Sequence, residues 1–493
     1  MFNFTQTLTA LLLVGACTAS HAAEYWISKK GSDANNCSSA SLSCLSIQKG
    51  LNILKPGDIL NIDEGTYIED STNSTLTSKC GLLDANYGSL CIKSSGTAEN
   101  PITIRALPGK EGKVIIDSEG KRAGIIISKH DYIHIQNLIL RNSWTGGIAT
   151  PGGPASTTAA PSDDILSIGC EIVGNTIENT RGAWGVNTSA IYMWSTKNWI
   201  VRDNIIKTVK SDPTWEVNGI QTYGTINAII EHNDILDVDV GINWKDHYIM
   251  SGSYQESTIK YNFLSVAKTG IRISIRADKS NPAGDNQIEN NIIELINEAS
   301  VGIAAYLAGA NGMSRELTVK NNLFIGRNLK HVAINADALK SLRVIGNIFS
   351  NMETAVSLRL QDTSRPARLT ESNFNVFDMA FQILHDRYDP SGDSETYKQL
   401  GQWQQVKPSA DATLLSLAID NPDGSSIQYD SSRIRTTLIA EDDFRSQMPP
   451  PITNTKGEHY QPGPYQNTND IVGARKNIIS APLAPEKPKS QQL

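Results

Sequence analysis

The sequence predicts an all-β chain wound into a parallel β-helix, and two recurring elements predict it. In the first, an asparagine sits inside a short aliphatic run: VGNTI at Asn175, RDNII at Asn204, EHNDI at Asn233, KYNFL at Asn262 and ENNII at Asn291, spaced by 29 at every step. IQNLI at Asn137 precedes them by 38, and KNNLF at Asn322 and IGNIF at Asn347 follow at 31 and 25. The second is a small residue followed by an aliphatic one, at Gly147-Ile148, Ala190-Ile191, Gly219-Ile220, Gly241-Ile242, Gly270-Ile271 and Gly302-Ile303. A fixed period of this size, built from β-branched runs and polar turns, marks a solenoid. Long runs of 3.6 periodicity are absent, which argues against helical repeats. Asparagines stacked at one turn of successive rungs can bond up and down the coil through their amides.

The elements follow in order. Residues 1–23 read as an export signal, with an apolar run from Leu8 to Gly15 and small residues at Ser20-His21-Ala22. That run is too short to span a bilayer, and no other stretch is apolar enough to do so. The destination is periplasmic or extracellular. Val14-Gly15-Ala16-Cys17 also fits a lipidation site, which leaves a lipid anchor at Cys17 as the alternative to plain secretion. Residues 24–375 are expected to form the coil with an N-terminal cap. YWIS is a strand; SIQKGLNILKPGD places Ile47, Leu51 and Ile53-Leu54 on one helical face and stops at Pro56-Gly57; DILNIDEGTY is strand and turn. A single amphipathic helix ahead of a stack is suited to cover its open end. Residues 149–164 form a low-complexity loop, and 179–189 and 207–218, with Trp184 and Trp215, form longer loops that could wall a cleft. Residues 376–479 are expected to pack along the coil and close it, and 480–493 to be a disordered tail.

The opening, in YWISKKGSD, SIQKGLN and KPGDILNIDEGTY, closely resembles the start of right-handed parallel β-helix proteins of the polysaccharide-lyase type. The resemblance implies the handedness and bears on the fold more than on the reaction.

Composition bounds the function. The chain has 493 residues, 39% hydrophobic and 19% charged, with a formal net charge of −7. That is globular, and it lacks the basic excess of a nucleic-acid binder. A local basic cleft for an acidic substrate remains compatible with it. Beyond the leader lie Cys37, Cys44, Cys80, Cys91 and Cys170. In an exported protein the two close pairs read as Cys37–Cys44 and Cys80–Cys91 disulfides, one of three connectivities that four cysteines allow. Cys170 reads as a buried small hydrophobe. The chain is expected to act as a monomer.

Aligned on the small-residue–aliphatic element, the strands give outward columns, because strand side chains alternate. Two residues after the small residue stand Tyr192, Gln221, Asn243, Arg272 and Ala304; four after, Trp194, Tyr223, Lys245, Ser274 and Tyr306; six after, Thr196, Thr225, His247, Arg276 and Ala308. Rungs about 4.8 Å apart then put Lys245 between Tyr223 and Ser274. Asn243, Arg272, His247 and Arg276 come within side-chain reach, and Gln221, Tyr192, Trp194 and Tyr306 extend the face. An exposed row of aromatics around a basic centre suits a long acidic sugar chain: rings stack on sugar faces, and arginine pairs with carboxylate or sulfate.

In a uronate polymer the proton beside the carboxylate is weakly acidic. Removing it requires neutralising the carboxylate, by metal or by Arg/Lys, and a base. A lysine whose pKa is lowered by adjacent cations can be that base. Elimination then breaks the glycosidic bond; returning the proton to the other face gives epimerisation instead.

Here the resemblance sharpens, to β-helix lyases of the chondroitinase B/alginate lyase type and of the family 9 pectate lyase type. Lys245 in GINWKDH matches their lysine base by place, and Arg276 or Arg272 in GIRISIRADK matches the helper arginine of the former type. The resemblance further implies calcium, with Glu216, Asp237 and Asp239 as candidate ligands. The chain departs from that pattern in lacking His-Gly after the arginine. The expectation is an exported lyase of acidic polysaccharides, with a C5-epimerase or a non-catalytic glycan-binding β-helix as alternatives. Asp163-Asp164 and Asp234, Asp237 and Asp239 could pair for hydrolysis, but the Asn-Thr-Asp and Gly-His-Gly motifs of β-helix polygalacturonases are missing. His130, His134, His232 and His331 read as turn or surface residues without metal-ligand spacing. No phosphate loop, Ser-His-Asp order or zinc pattern is present.

Overall fold

The computed structural model describes residues 22–69, 80, 88–150, 166–183, 188–212, 216–245, 257–275, 285–298, 300–307, 316–327, 330–337, 339, 341–358, 369–373, 375–378, 382–386, 395–397, 452–453 and 459–460. Among these, two sheets run the length of the chain. One has twelve parallel strands, opening with Glu24–Ile27, Ile59–Ile62, Ile102–Ala106 and Ile133–Gln136 and ending with Leu369–Asn373. The other has 22 strands and forms the remaining walls of each rung. Successive rungs pair in parallel, so the chain is a parallel β-helix. The expected signal segment up to residue 21, the 149–164 loop beyond 150, Trp184, Trp215 and nearly all of the C-terminal segment and tail lie outside the described residues.

The interior is stacked aliphatic side chains. Ile220, Ile242, Ile271, Ile303, Ile334 and Val356 lie in register and are buried in one continuous core. β-branched residues suit a pleated stack, and each fully buried one is worth about 1.5–3 kcal/mol. Parallel pairing continues past residue 375 to Gln382–Asp386, against which Glu395–Tyr397 folds back antiparallel.

The asparagine ladder is present. Asn175, Asn204, Asn233, Asn262, Asn291, Asn322 and Asn347 each give their backbone N–H and side-chain Nδ2 to Oδ1 of the next, at 2.9–3.2 Å, ending on Asn375. Two corrections follow. Asn137 is not a rung of it; the N–H of Leu138 donates to Asn175 Oδ1 at 3.0 Å, so the sequence series was one residue out of register there. Asn375, which the series omitted, is its last described member. The residue before the ladder asparagines from Asn175 to Asn347 turns left-handed, with φ of 57° at Asp203, 54° at His232 and 56° at Tyr261. That turn swings the asparagine into the core.

The small residue before each aliphatic one marks a bend. A Cβ on Gly219, Gly241, Gly270 or Gly302 would stand 2.5–2.7 Å from the carbonyl oxygen of the next rung. Only a bare or nearly bare backbone can turn this closely beside its neighbour.

At the N-terminal end the helix is shorter than expected, Ile47–Leu51, with both of those side chains buried. Glu69 accepts the N–H groups of Ile47 and Gln48. Gln48 gives its amide to the backbone of Cys91 in both directions, at 2.9 Å each. Cys37–Cys44 and Cys80–Cys91 are disulfides, with Cα–Cα distances of 4.9 and 6.0 Å. Cys170 is free and buried, and burial pushes its thiol up to about 12. His331 is fully buried, against the expectation of a turn or surface place. No helix of the described residues is long and apolar enough to cross a membrane.

Candidate active site

The columns read from the sequence hold in the backbone register. Tyr192, Gln221, Asn243, Arg272 and Ala304 are successive partners, and so are Trp194, Tyr223, Lys245, Ser274 and Tyr306. His247 and Arg276 lie outside the described residues. Thr196 and Thr225 are in register as expected but face inward of the surface: both are buried, and their hydroxyls meet at 2.9 Å.

The bend at the glycines makes the outer surface concave. Because the chain turns there, residues three apart face each other across it. Asn218, just before the bend, donates to Gln221 Oε1 at 2.8 Å, and Arg272 reaches back to Thr269 Oγ1 at 3.5 Å. Asn218 is a site residue the sequence reading missed. Its only signal is polarity: its register partners further along are Val240, Thr269 and Val301.

A set of amides lines this concave strip. Ser189 Oγ and Asn218 Nδ2 both donate to Gln221 Oε1, and Asn243 Nδ2 donates to Asn218 Oδ1 at 2.8 Å. Gln221 and Asn243 are 0% and 1% exposed, not the open face expected. Among the described residues Gln221 Nε2 and Asn243 Oδ1 have no hydrogen-bond partner.

The aromatics are also more enclosed than expected. Tyr192 is buried in a small outer cluster with Ala123, Ile126 and Ala149. Trp194 and Tyr223 stay half-buried beside it, edge to face at 4.8 Å. The column therefore grades from apolar, at Ile126 and Ala149, through aromatic and amide, to cationic at Arg272.

Lys245 ends the strand Asp234–Lys245, half-buried between Tyr223 and Ser274. Among the described residues its ammonium has no hydrogen-bond or ion-pair partner. Burial lowers its pKa from the ordinary lysine value; Glu216 opposes that shift and Arg272 adds to it. Arg272 forms a two-pronged ion pair with Glu216, Nη2 to Oε2 at 2.7 Å and Nη1 to Oε1. This pair spans from the residue ahead of the strand Val217–Ile226 to the strand Phe263–Ile275, two rungs on.

The three carboxylates expected to hold calcium do not converge. Asp239 pairs with Lys268 at 2.8 Å on one neighbouring rung, Asp237 with Lys210 at 3.3 Å on the other, and Glu216 with Arg272. No group of three His, Cys, Asp or Glu among the described residues is placed to bind a metal. These residues do not fit a calcium site as a set, and the chemistry below takes no step through a metal.

No family model and no curated relative matches the sequence. Solved structures do match the coil. One is a rhamnogalacturonan lyase, at 13% identity and a TM-score of 0.43, covering 88% of this chain and 96% of that one. A PL6 family polysaccharide lyase from Pseudopedobacter saltans matches at 12% and 0.42, covering 78% and 91%. The pectate lyase Pel9A matches at 14% and 0.32, covering 71% and 82%. The coil rests on its own backbone pairing, and at such identities and TM-scores these likenesses add nothing about this chain's activity or substrate.

Proposed function

We propose that the chain is an exported lyase that cleaves an acidic, uronate-containing polysaccharide by β-elimination. The observation that carries this reading is Lys245: a half-buried lysine without a counter-ion among the described residues, its basic form favoured by burial, beside an arginine on a concave strip. A surface lysine would stay protonated at neutral pH; a partly desolvated one beside a guanidinium can take a proton.

In this reading the sugar carboxylate lies against Arg272, with Arg276 as the alternative helper, which stabilises the charge that spreads onto the acid as the adjacent C–H is broken. Lys245 Nζ removes that C5 proton. The electron pair forms the C4–C5 double bond and the C4–O bond breaks. The departing oxygen takes up a proton, so the two products together contain the atoms of the substrate. Tyr223 and Trp194 offer rings to neighbouring sugars, and the buried amides of Asn243 and Gln221 support the strip beneath them.

The test is incubation of the full chain with alginate, pectate and glycosaminoglycans, with and without calcium, while following the ultraviolet absorbance of an unsaturated uronate. Rising absorbance on one of them supports the reading, and a flat trace on all of them ends it. Solvent deuterium incorporated without chain cleavage would instead identify an epimerase.

A further inference from the structure

We propose that the Glu216 carboxylate sits in the seat of the substrate's own acid group, and that only a sugar carrying a free carboxylate can take its place. The proposal rests on the lyase reading only in taking the ligand to be an acidic glycan.

Three observations lead to it. First, Glu216 is out of keeping with the other carboxylates nearby. Asp237 and Asp239 pair with lysines on adjacent rungs, whereas Glu216 reaches two rungs to Arg272 and so strides the rung that carries Asn243 and Lys245. Second, both carboxylate oxygens meet both terminal guanidinium nitrogens. That is the planar, two-pronged arrangement by which arginine accepts a sugar carboxylate. Third, the pair is only part-buried, with side chains 21% and 32% exposed, so solvent reaches the guanidinium and a second carboxylate can compete for it.

Exchange has a chemical consequence. With Glu216 in place, Arg272 is neutralised by a group that has no proton to give up, and Lys245 is held toward its ammonium form by the same carboxylate. When a uronate takes the fork, the charge at Arg272 is unchanged, but its acidic C–H now lies on the Lys245 rung. Glu216 thus acts as a positioning and selecting residue. A neutral sugar or a methyl-esterified uronate cannot form the fork and cannot displace it.

The test compares Lys245→Ala with Lys245→Ala/Glu216→Gln as full-length proteins, the first substitution preventing turnover. Oligogalacturonate, oligoalginate and chondroitin sulfate oligosaccharides are titrated calorimetrically, with methyl-esterified oligogalacturonate as the uncharged control. Freeing Arg272 is expected to tighten binding of the free acid by at least roughly three- to fivefold, the gain from removing one competing carboxylate, and to leave the ester unbound. Glu216→Asp, with its shorter reach, should fall between. In the Lys245-intact protein, Glu216→Gln should lower the pKa of isotopically methylated Lys245. If Glu216 merely props up the arginine, Glu216→Gln binds the acids more weakly. That result, unchanged binding, or no binding of any acid by either protein would overturn the proposal. Tighter binding without unsaturated product from the Lys245-intact chain would remove the lyase reading and leave this one standing.

Discussion

Two sets of stacked amides run along this coil, and they differ in how completely they are satisfied. In the interior, Asn262 accepts from both the backbone N–H and Nδ2 of Asn233, and gives its own Nδ2 to Ile230 O, Lys260 O and Asn291 Oδ1. On the concave outer strip, Asn218, Gln221 and Asn243 bond to one another, yet Gln221 Nε2 and Asn243 Oδ1 are left without partners. Residue type and rung spacing are alike; the surroundings are not. A closed set has nothing left to offer a ligand and serves the fold. The outer set, at the edge of a basic centre, keeps a donor and an acceptor unmatched among the described residues, both of them buried. Such atoms are costly to bury.

The comparison separates activity from stability, and substitutions can break it. The largest expected effect is Lys245→Ala, which should lower elimination on the cleaved glycan by about 10²–10⁴-fold while the unfolding midpoint stays near that of the parent. A parent-like rate would place the base elsewhere.

Next comes the contrast of Asn262→Ala with Asn243→Ala. Emptying a ladder rung orphans several buried groups, each at about 1–3 kcal/mol, which denaturant titration should register as a lower midpoint. Asn243→Ala orphans a single buried acceptor, Asn218 Oδ1, at about 1–3 kcal/mol, a smaller loss of stability, and should show also as weaker glycan binding. Equal losses of stability in the two variants would erase the distinction drawn here.

Asp234 sharpens it further. The residue follows ladder Asn233, is buried between the register partners Ile205 and Phe263, and has an Oδ1 without a partner among the described residues. Burial, then nearby Asp203, raises its pKa from 3.8 to about 7. A carboxyl raised on folding favours the native state while protonated, so stability should be lost progressively as pH climbs from about 4 through 7. Asp234→Asn should flatten that decline, measured as unfolding midpoints on either side of neutrality; an unchanged slope would show the carboxyl has another partner.

The smallest effect is expected at Cys170, whose buried thiol should resist alkylation in the folded protein and whose replacement by Ser should leave turnover unchanged.

Much of this was legible in the sequence because a coil converts a period into proximity. The recurring small-residue–aliphatic element, at steps of 22 and then 29, brought Gln221, Asn243 and Arg272 into one column, and Tyr223, Lys245 and Ser274 into the next, as the alignment required. The same reading misplaced Asn137 by one residue, since in IQNLI the asparagine falls on the left-handed turn position and Leu138 on the rung. It also took Tyr192, Gln221 and Asn243 for open surface. Alternation tells which side of a strand a residue is on; it does not tell what covers that side.

By itself, then, the sequence determined the solenoid and the columns that hold the candidate residues, because these depend on periodic spacing and local pattern. Only the tertiary structure decided the bend that faces Asn218 toward Gln221, the pairing of Glu216 with Arg272 across two rungs, and the separation of Asp237 from Asp239 onto opposite cations. These depend on side-chain reach and backbone curvature, which combine residues distant in sequence and leave no periodic trace in it.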